Sequence, residues 1–207
     1  MARRNIRNIV ILLFVLTIST PAFATENWMS TTFQYEHVFN TGLRTDGGSD
    51  SLGFDLAWHS FMDNSYAGMF VRTGFLFSVD QTSASDGMVF RTNVMTGPAF
   101  KVEIDPVLVW YGGIGPFFSQ AFDFSGSGTE TALGLGIDTG VRFSLTSNTR
   151  TGLFLIAGVT ASCNFLNILN EDVVNKVSGQ VIPYVGFCLS YDANPYGGYY
   201  VYNPLLW

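Results

Sequence analysis

Residues 132–145 read ALGLGIDTGVRFSL, and they alternate without a break. Leu133, Leu135, Ile137, Thr139, Val141, Phe143 and Leu145 fall on one parity, and Gly134, Gly136, Asp138, Gly140, Arg142 and Ser144 on the other. Successive side chains of a strand point to opposite faces, so the segment predicts a strand with one greasy face and one small or charged face. A helix would not segregate the residues this way.

The pattern recurs along the chain. Residues 28–39 set Phe33, Tyr35 and Phe39 against Thr32, Gln34 and Glu36, and residues 51–62 set Leu52, Phe54, Leu56 and Trp58 against Gly53, Asp55, Ala57 and His59. Residues 67–79 oppose Met69, Val71, Phe75 and Phe77 to Gly68, Arg72, Gly74 and Ser78. Residues 88–103 oppose Phe90, Val94, Phe100 and Val102 to Arg91, Asn93, Gly97 and Lys101. Residues 107–122, 151–163 and 179–191 behave alike. With 131–145 the segments make eight strands, each long enough to cross a bilayer while tilted. The predicted fold class is all-β, an eight-stranded antiparallel transmembrane up-and-down β-barrel.

Connections near 40–50, 80–87, 123–130 and 164–178 are long and rich in Gly, Ser, Thr, Asn and Asp, whereas those near 63–66, 104–106 and 146–150 are tight turns. Within the last long loop, Leu166 to Val177 has room for a turn or two of helix.

The N-terminus predicts export. Arg3, Arg4 and Arg7 precede the apolar run Ile9 to Leu16, and Ala22-Phe23-Ala24 fits cleavage after Ala24. A run this short cannot span a hydrocarbon core as a helix, and no run of about twenty apolar residues follows it. The expected organisation is a cleaved leader at 1–24, a barrel at 25–191 and an aromatic tail at 192–207, periplasmic or interfacial. An exported N-terminus puts the long loops outside the cell, on a barrel in the outer membrane.

The formal net charge is −6, and loss of the leader's arginines makes the remainder more acidic. That argues against nucleic acid as a partner. Charged residues make up only 13% of the chain, against about a quarter in ordinary globular proteins. A soluble lipocalin-type barrel would turn the polar parity to water and need many Lys and Glu residues there. Here that parity is mostly Gly, Ser, Thr and Asn with isolated charges, which suits the narrow lumen of an eight-stranded barrel. Trp28, Trp58, Trp110 and Tyr191 map to the periplasmic strand ends, as an aromatic girdle would.

These features resemble the small eight-stranded outer-membrane proteins of the OmpX, OmpA-barrel and OmpW type, over residues 25–191 and by pattern. The spacing Tyr184-x-Gly186-x-x-Leu189-x-Tyr191 is similar to the terminal-strand signal read in that class by the barrel assembly machinery. The resemblance therefore implies that machinery and outer-membrane lipid as partners. Asn203 and Pro204 spoil the alternation of a strand ending at Trp207, so the last strand is expected to end at Tyr191.

Glu36, Asp55, Arg72, Arg91, Lys101, Glu103, Asp138 and Arg142 share the lumen-facing parity. Charges in a narrow interior must pair or bind water. They make either a gated polar channel or a salt-bridged plug. Phe70, Leu76, Met95, Tyr111, Phe117, Phe154, Ile156, Ile182 and Tyr184 lie on the same parity, a mixed lining more like OmpW, which is thought to pass small hydrophobic molecules. In that family a strand proline interrupts the wall and permits lateral exit. Pro98, Pro116 and Pro183 all fall inside predicted strands, and Pro116, beside Gly113 and Gly115, is the best candidate for an interruption, with an ordinary bulge as the alternative.

With only His37 and His59, no Ser, His and Asp set converges at one rim, so no enzyme is expected. No ligand spacing suggests a metal, and no cofactor is implied. Cys163 and Cys188 fall at opposite ends and faces of neighbouring strands and are expected to be free thiols. The leading expectation is a narrow channel or binding barrel for small apolar solutes. Its alternatives are a plugged, surface-exposed protein contacting host molecules through its loops (an adhesin, for example) and a soluble secreted carrier.

Overall fold

A computed structural model describes residues 26–39, 48–62, 65–78, 88–105, 107–124, 128–145, 151–169, 172–174, 177–194 and 198–199. Its strands are β1 (Glu26–Phe39), β2 (Gly48–Phe61), β3 (Ala67–Ser78), β4 (Val89–Asp105), β5 (Leu108–Asp123), β6 (Gly128–Ser144), β7 (Gly152–Leu169), β8 (Asp172–Val174), β9 (Ser178–Asn194) and β10 (Gly198–Tyr199). Neighbours pair antiparallel in chain order from β1 to β7, β9 pairs with β7, and β9 also pairs with β1. That last pairing closes an eight-stranded barrel. The short β8 and β10 fold back on β7 and β9 at their ends.

Closure follows from the solvent. A strand in hydrocarbon cannot leave its N–H and C=O groups open, at several kcal/mol each, so the sheet must meet itself. The register fixes the width. Traced from Glu26 through Phe61, Gly68, Ala99, Gly113, Asp138 and Thr160 to Ile182, the circuit arrives beside β1 near Glu36 rather than at Glu26. This stagger tilts the strands and leaves an interior just wide enough for side chains to fill.

The two parities separate as the sequence predicts. Leu135, Ile137, Val141 and Phe143 are exposed on the outer wall, while Gly136, Asp138, Gly140 and Arg142 are buried inside. Phe33, Phe54, Leu56, Ile114, Val185 and Phe187 continue the outer belt around the barrel. We call the end where β1 starts the lower end and the other the upper. At the lower end, Asp105 accepts hydrogen bonds from the backbone of Val107 (2.7 Å) and Leu108 (2.8 Å), which fixes the tight β4–β5 turn. Gly128 and Gly152 take φ of 122° and 129°, a region that side-chain-bearing residues avoid.

Several expectations are corrected. Residues 166–169 form no helix: β7 runs on to Leu169, and β8 returns along it as a hairpin. The hydrophobic run of that segment suits a strand as well as a helix, and pairing with β6 decides it. The connection expected at 123–130 is much shorter, because Asp123 already pairs with Gly128. The last strand does not end at Tyr191 but continues to Asn194. Trp28 is not in the girdle. It shares parity with Ser30 and Thr32 and is fully buried in the lumen, leaving Trp58 and Trp110 on the outer face. Glu103 lies on the lumen parity but is exposed, since β4 has by then run past the filled interior. The leader at 1–24 lies outside the described residues, as do the tail beyond Asn194 apart from β10, loop residues 40–47 and 79–87, and turn residues 146–150.

If lipid is the solvent of the outer wall, Ile137→Arg should destabilise the folded barrel in vesicles by about 2–4 kcal/mol, and Leu145→Arg near the lower edge by about 0–1. Denaturant titration of both variants measures the difference, and equal costs at the two depths would contradict it.

Candidate functional site: the filled lumen

The lumen is organised as three tiers of charge. In the lower tier Glu26 accepts from the Trp28 Nε1 (2.7 Å), meets the Lys101 ammonium, and lies 3.6 Å from the Arg142 guanidinium. Arg142 also stacks 3.7 Å above the Trp28 ring and 4.1 Å from that of Phe154, so aromatic faces cover the cation.

The middle tier has two carboxylates. Asp55 accepts from Thr32 Oγ1 (2.5 Å), from Gln34 Nε2 (2.7 Å) and from the Arg72 guanidinium. Asp138 accepts from Thr160 Oγ1 (2.8 Å) and from the Tyr184 hydroxyl (3.0 Å). Arg72 lies between them, 3.6 Å from Asp138 and over the Tyr184 ring at 3.8 Å. The Tyr184 and Tyr111 hydroxyls meet at 2.6 Å. Two glycines make room for this pair: a Cβ on Gly140 would stand 2.5 Å from the Tyr111 hydroxyl, and one on Gly158 would stand 2.5 Å from that of Tyr184. The small residues on the inner parity are therefore space for large ones opposite. His59 lies 3.9 Å from Asp138 and packs among Trp28, Phe61, Phe70 and Tyr111.

In the upper tier Glu36 meets Arg91 at 3.1 Å and accepts from Asn93 Nδ2 at 2.7 Å. Each of these acids and bases is at least nine-tenths buried. Phe70, Leu76, Met95, Tyr111, Phe117, Phe154, Ile156, Ile182 and Tyr184 are buried beside them and fill the spaces between tiers. A cavity beside Gln34, Met95, Phe117 and Ile182 has room for about one water molecule. What the geometry can do chemically is neutralise and obstruct: buried side chains from all eight barrel strands occupy the described lumen.

Glu26 and Trp28 belong to the lumen without a sequence signal that says so: a strand read from residue 28 leaves Glu26 out and gives Trp28 the look of a rim residue, although both share the inner parity. The four residues of the expected assembly signal lie on β9, with Tyr184 inside, Leu189 exposed outside, and Gly186 where a Cβ would stand 2.2 Å from the Thr31 carbonyl oxygen. Cys163 is exposed and pairs opposite Gly179, whereas Cys188 is buried opposite Phe154, and both are free thiols.

Pro98, Pro116 and Pro183 all face outward. Between the pairs Met95–Phe117 and Ala99–Gly113 the β4–β5 ladder lapses, in the stretch holding Pro98 and Pro116. The β1–β9 ladder lapses likewise between Gln34–Tyr184 and His37–Val181, beside Pro183. A proline has no N–H to donate, which accounts for both. The backbones stay close at the first gap, since a Cβ on Gly115 would meet the Thr96 carbonyl oxygen at 1.9 Å. The wall is weakened there without being holed.

Asp55→Ala would leave the Arg72 guanidinium buried beside one distant acid and should cost about 3–5 kcal/mol. Asp55→Leu combined with Arg72→Met should recover most of that loss. Urea unfolding in lipid vesicles compares them, and a single-variant cost near zero would show the tier to be hydrated and not packed.

No protein-family profile matches the sequence, and no curated protein sequence does. Solved structures are similar in fold. Neisserial surface protein A, NspA, aligns with a TM-score of 0.58 at 15% identity over 79% of this chain and 96% of its own. Ail, the attachment invasion locus protein of Yersinia pestis, aligns with a TM-score of 0.50 at 18% identity over 80% of this chain and 99% of its own. The chain has the fold of the small eight-stranded outer-membrane β-barrels.

Proposed function

We propose that this chain is a plugged barrel of the outer membrane whose work is done at its upper, extracellular mouth, as a surface protein that contacts molecules outside the cell. The observation that carries this reading is the lumen: charge meets charge in all three tiers, and large buried side chains lie between them. Such an interior stabilises a wall and conducts nothing at rest.

The upper rim supports the same reading. β9 pairs with β7 only as far as Asn164–Ser178, yet β7 continues to Leu169 against β6 and β8. The rim is therefore raised on the β6–β7 side. Phe124, Phe165 and Val177 are each more than half exposed near it. Exposed aromatic and aliphatic residues on a raised rim suit contact with a host surface molecule. NspA and Ail are named as a surface protein and an attachment invasion locus protein, which accords with this role. In this reading residues 1–24 are the cleaved leader, residues 192–207 a periplasmic or interfacial tail, and Tyr184, Gly186, Leu189 and Tyr191 the signal for the assembly machinery.

A second reading, a conduit or binding barrel for small apolar solutes, draws on the β4–β5 gap at Pro98 and Pro116. The apolar side chains Met95 and Phe117 stand directly inside its upper edge.

Planar-bilayer recording combined with whole-cell adhesion separates the two. Wild-type barrel should give no conductance steps above leak in concentrated KCl. Cells displaying it should gain adhesion to epithelial cells, and replacing 164–178 with a short Gly-Ser turn should abolish the gain. Solute uptake lost on deletion, with adhesion unchanged, would establish the conduit instead.

A further inference from the structure

Gln34 and Asn93 each commit one end of an amide to a carboxylate and leave the other end over. Gln34 Nε2 donates to Asp55 (2.7 Å) and Asn93 Nδ2 donates to Glu36 (2.7 Å), which fixes the orientation of both amides. Gln34 Oε1 and Asn93 Oδ1 are buried and have no hydrogen-bond partner among the described residues. Arg72 gives Nη1 to Asp55, and its Nε and Nη2 have no hydrogen-bond acceptor among the described residues, with Nη2 standing 3.6 Å from Asp138.

These three side chains line one cavity, the one with room for about one water molecule, together with Gly74 and apolar groups such as Met95 and Phe117. Gly74 is part of its construction, because a Cβ there would stand 2.8 Å from Gln34 Oε1. The glycine leaves open the side on which that oxygen lies.

The chemistry of the lining selects the occupant. Two amide oxygens call for a donor of two hydrogens, and a guanidinium N–H calls for an acceptor. A metal or ammonium cation suits the oxygens but meets the Arg72 charge at close range. Chloride suits Arg72 but faces the two oxygens. Water is neutral, donates twice, accepts, and fits the space. A buried acceptor left unpaired carries its whole desolvation cost, so there is a driving force to hold it.

We propose that this cavity is a binding site for one ordered water, which donates to Gln34 Oε1 and Asn93 Oδ1 and accepts from Arg72. Asp55, Gln34, the water, Asn93 and Glu36 then form one hydrogen-bonded path, and the middle and upper tiers of charge become a single network. The site stands whichever role the mouth of the barrel performs.

A crystal structure of the folded full chain, at a resolution that shows ordered solvent, tests this. The expected result is density for one water within hydrogen-bond distance of Gln34 Oε1, Asn93 Oδ1 and an Arg72 nitrogen. A cavity without that density, or one closed because the two amides turn to other partners, overturns the proposal. Substitution at Gly74 gives a second readout. Gly74→Ala and Gly74→Ser place the same Cβ against Gln34 and displace the water, but only serine returns a hydroxyl to its partners. Gly136, where a Cβ would stand 2.9 Å from Met95 Sδ, is the reference for replacing an inward glycine beside an apolar side chain. In lipid nanodiscs the thermal midpoint should be several degrees higher for Gly74→Ser than for Gly74→Ala, with no such advantage of serine at 136. Equal midpoints at 74, or the same advantage of serine at both positions, overturn the proposal. If the variants do not fold, the density in the native protein decides alone.

Discussion

Hydrocarbon offers a strand nothing to hydrogen-bond, and that constraint organises the molecule. The sheet must close on itself, and closing eight tilted strands leaves an interior with no space for bulk water. A charge turned inward then has only other side chains for company. The tiers around Glu26, Asp55, Asp138 and Glu36 are the consequence, each acid placed where a base from another strand can reach it. The glycines on the same parity follow as well, because a narrow lumen that holds Tyr111 and Tyr184 cannot also hold side chains at 140 and 158.

The proline positions show where the constraint is relaxed. Each of the three removes a donor from a wall that has no spare edge, and each faces lipid, where its ring adds apolar surface. Close approach at Gly97 and Gly115 keeps β4 against β5 although their ladder lapses there. The raised rim on the β6–β7 side adds an asymmetry that neither closure nor filling requires, which is why the proposed role is placed there.

Much of this was legible from two-residue periodicity. The run 132–145 fixes one strand's two faces, and a one-residue slip in register would reverse them, so the inner parity of the whole barrel could be read from the sequence. Strand ends were harder. Alternation fades where a strand leaves the membrane, so nothing in the sequence marks Glu26 as part of the first strand or separates an inward Trp28 from a girdle residue. The stretch 166–169 looked helical because apolar spacing over a few residues does not distinguish the two structures, and only pairing with β6 does. The partners inside the lumen could not be read at all. That Arg72 reaches both Asp55 and Asp138 depends on the stagger around the ring, a property of all eight strands together.

The solvent around the outer wall decides the fold, and a nitroxide on Ile137→Cys in bilayers measures it. Dissolved oxygen should relax that label strongly while a water-soluble nickel chelate has almost no effect, as for a side chain in hydrocarbon. A label quenched by the nickel chelate, or immobilised and shielded from both reagents, would mean that the Leu/Ile/Val side meets water or a protein interior, and the fold's physical basis as described would be wrong.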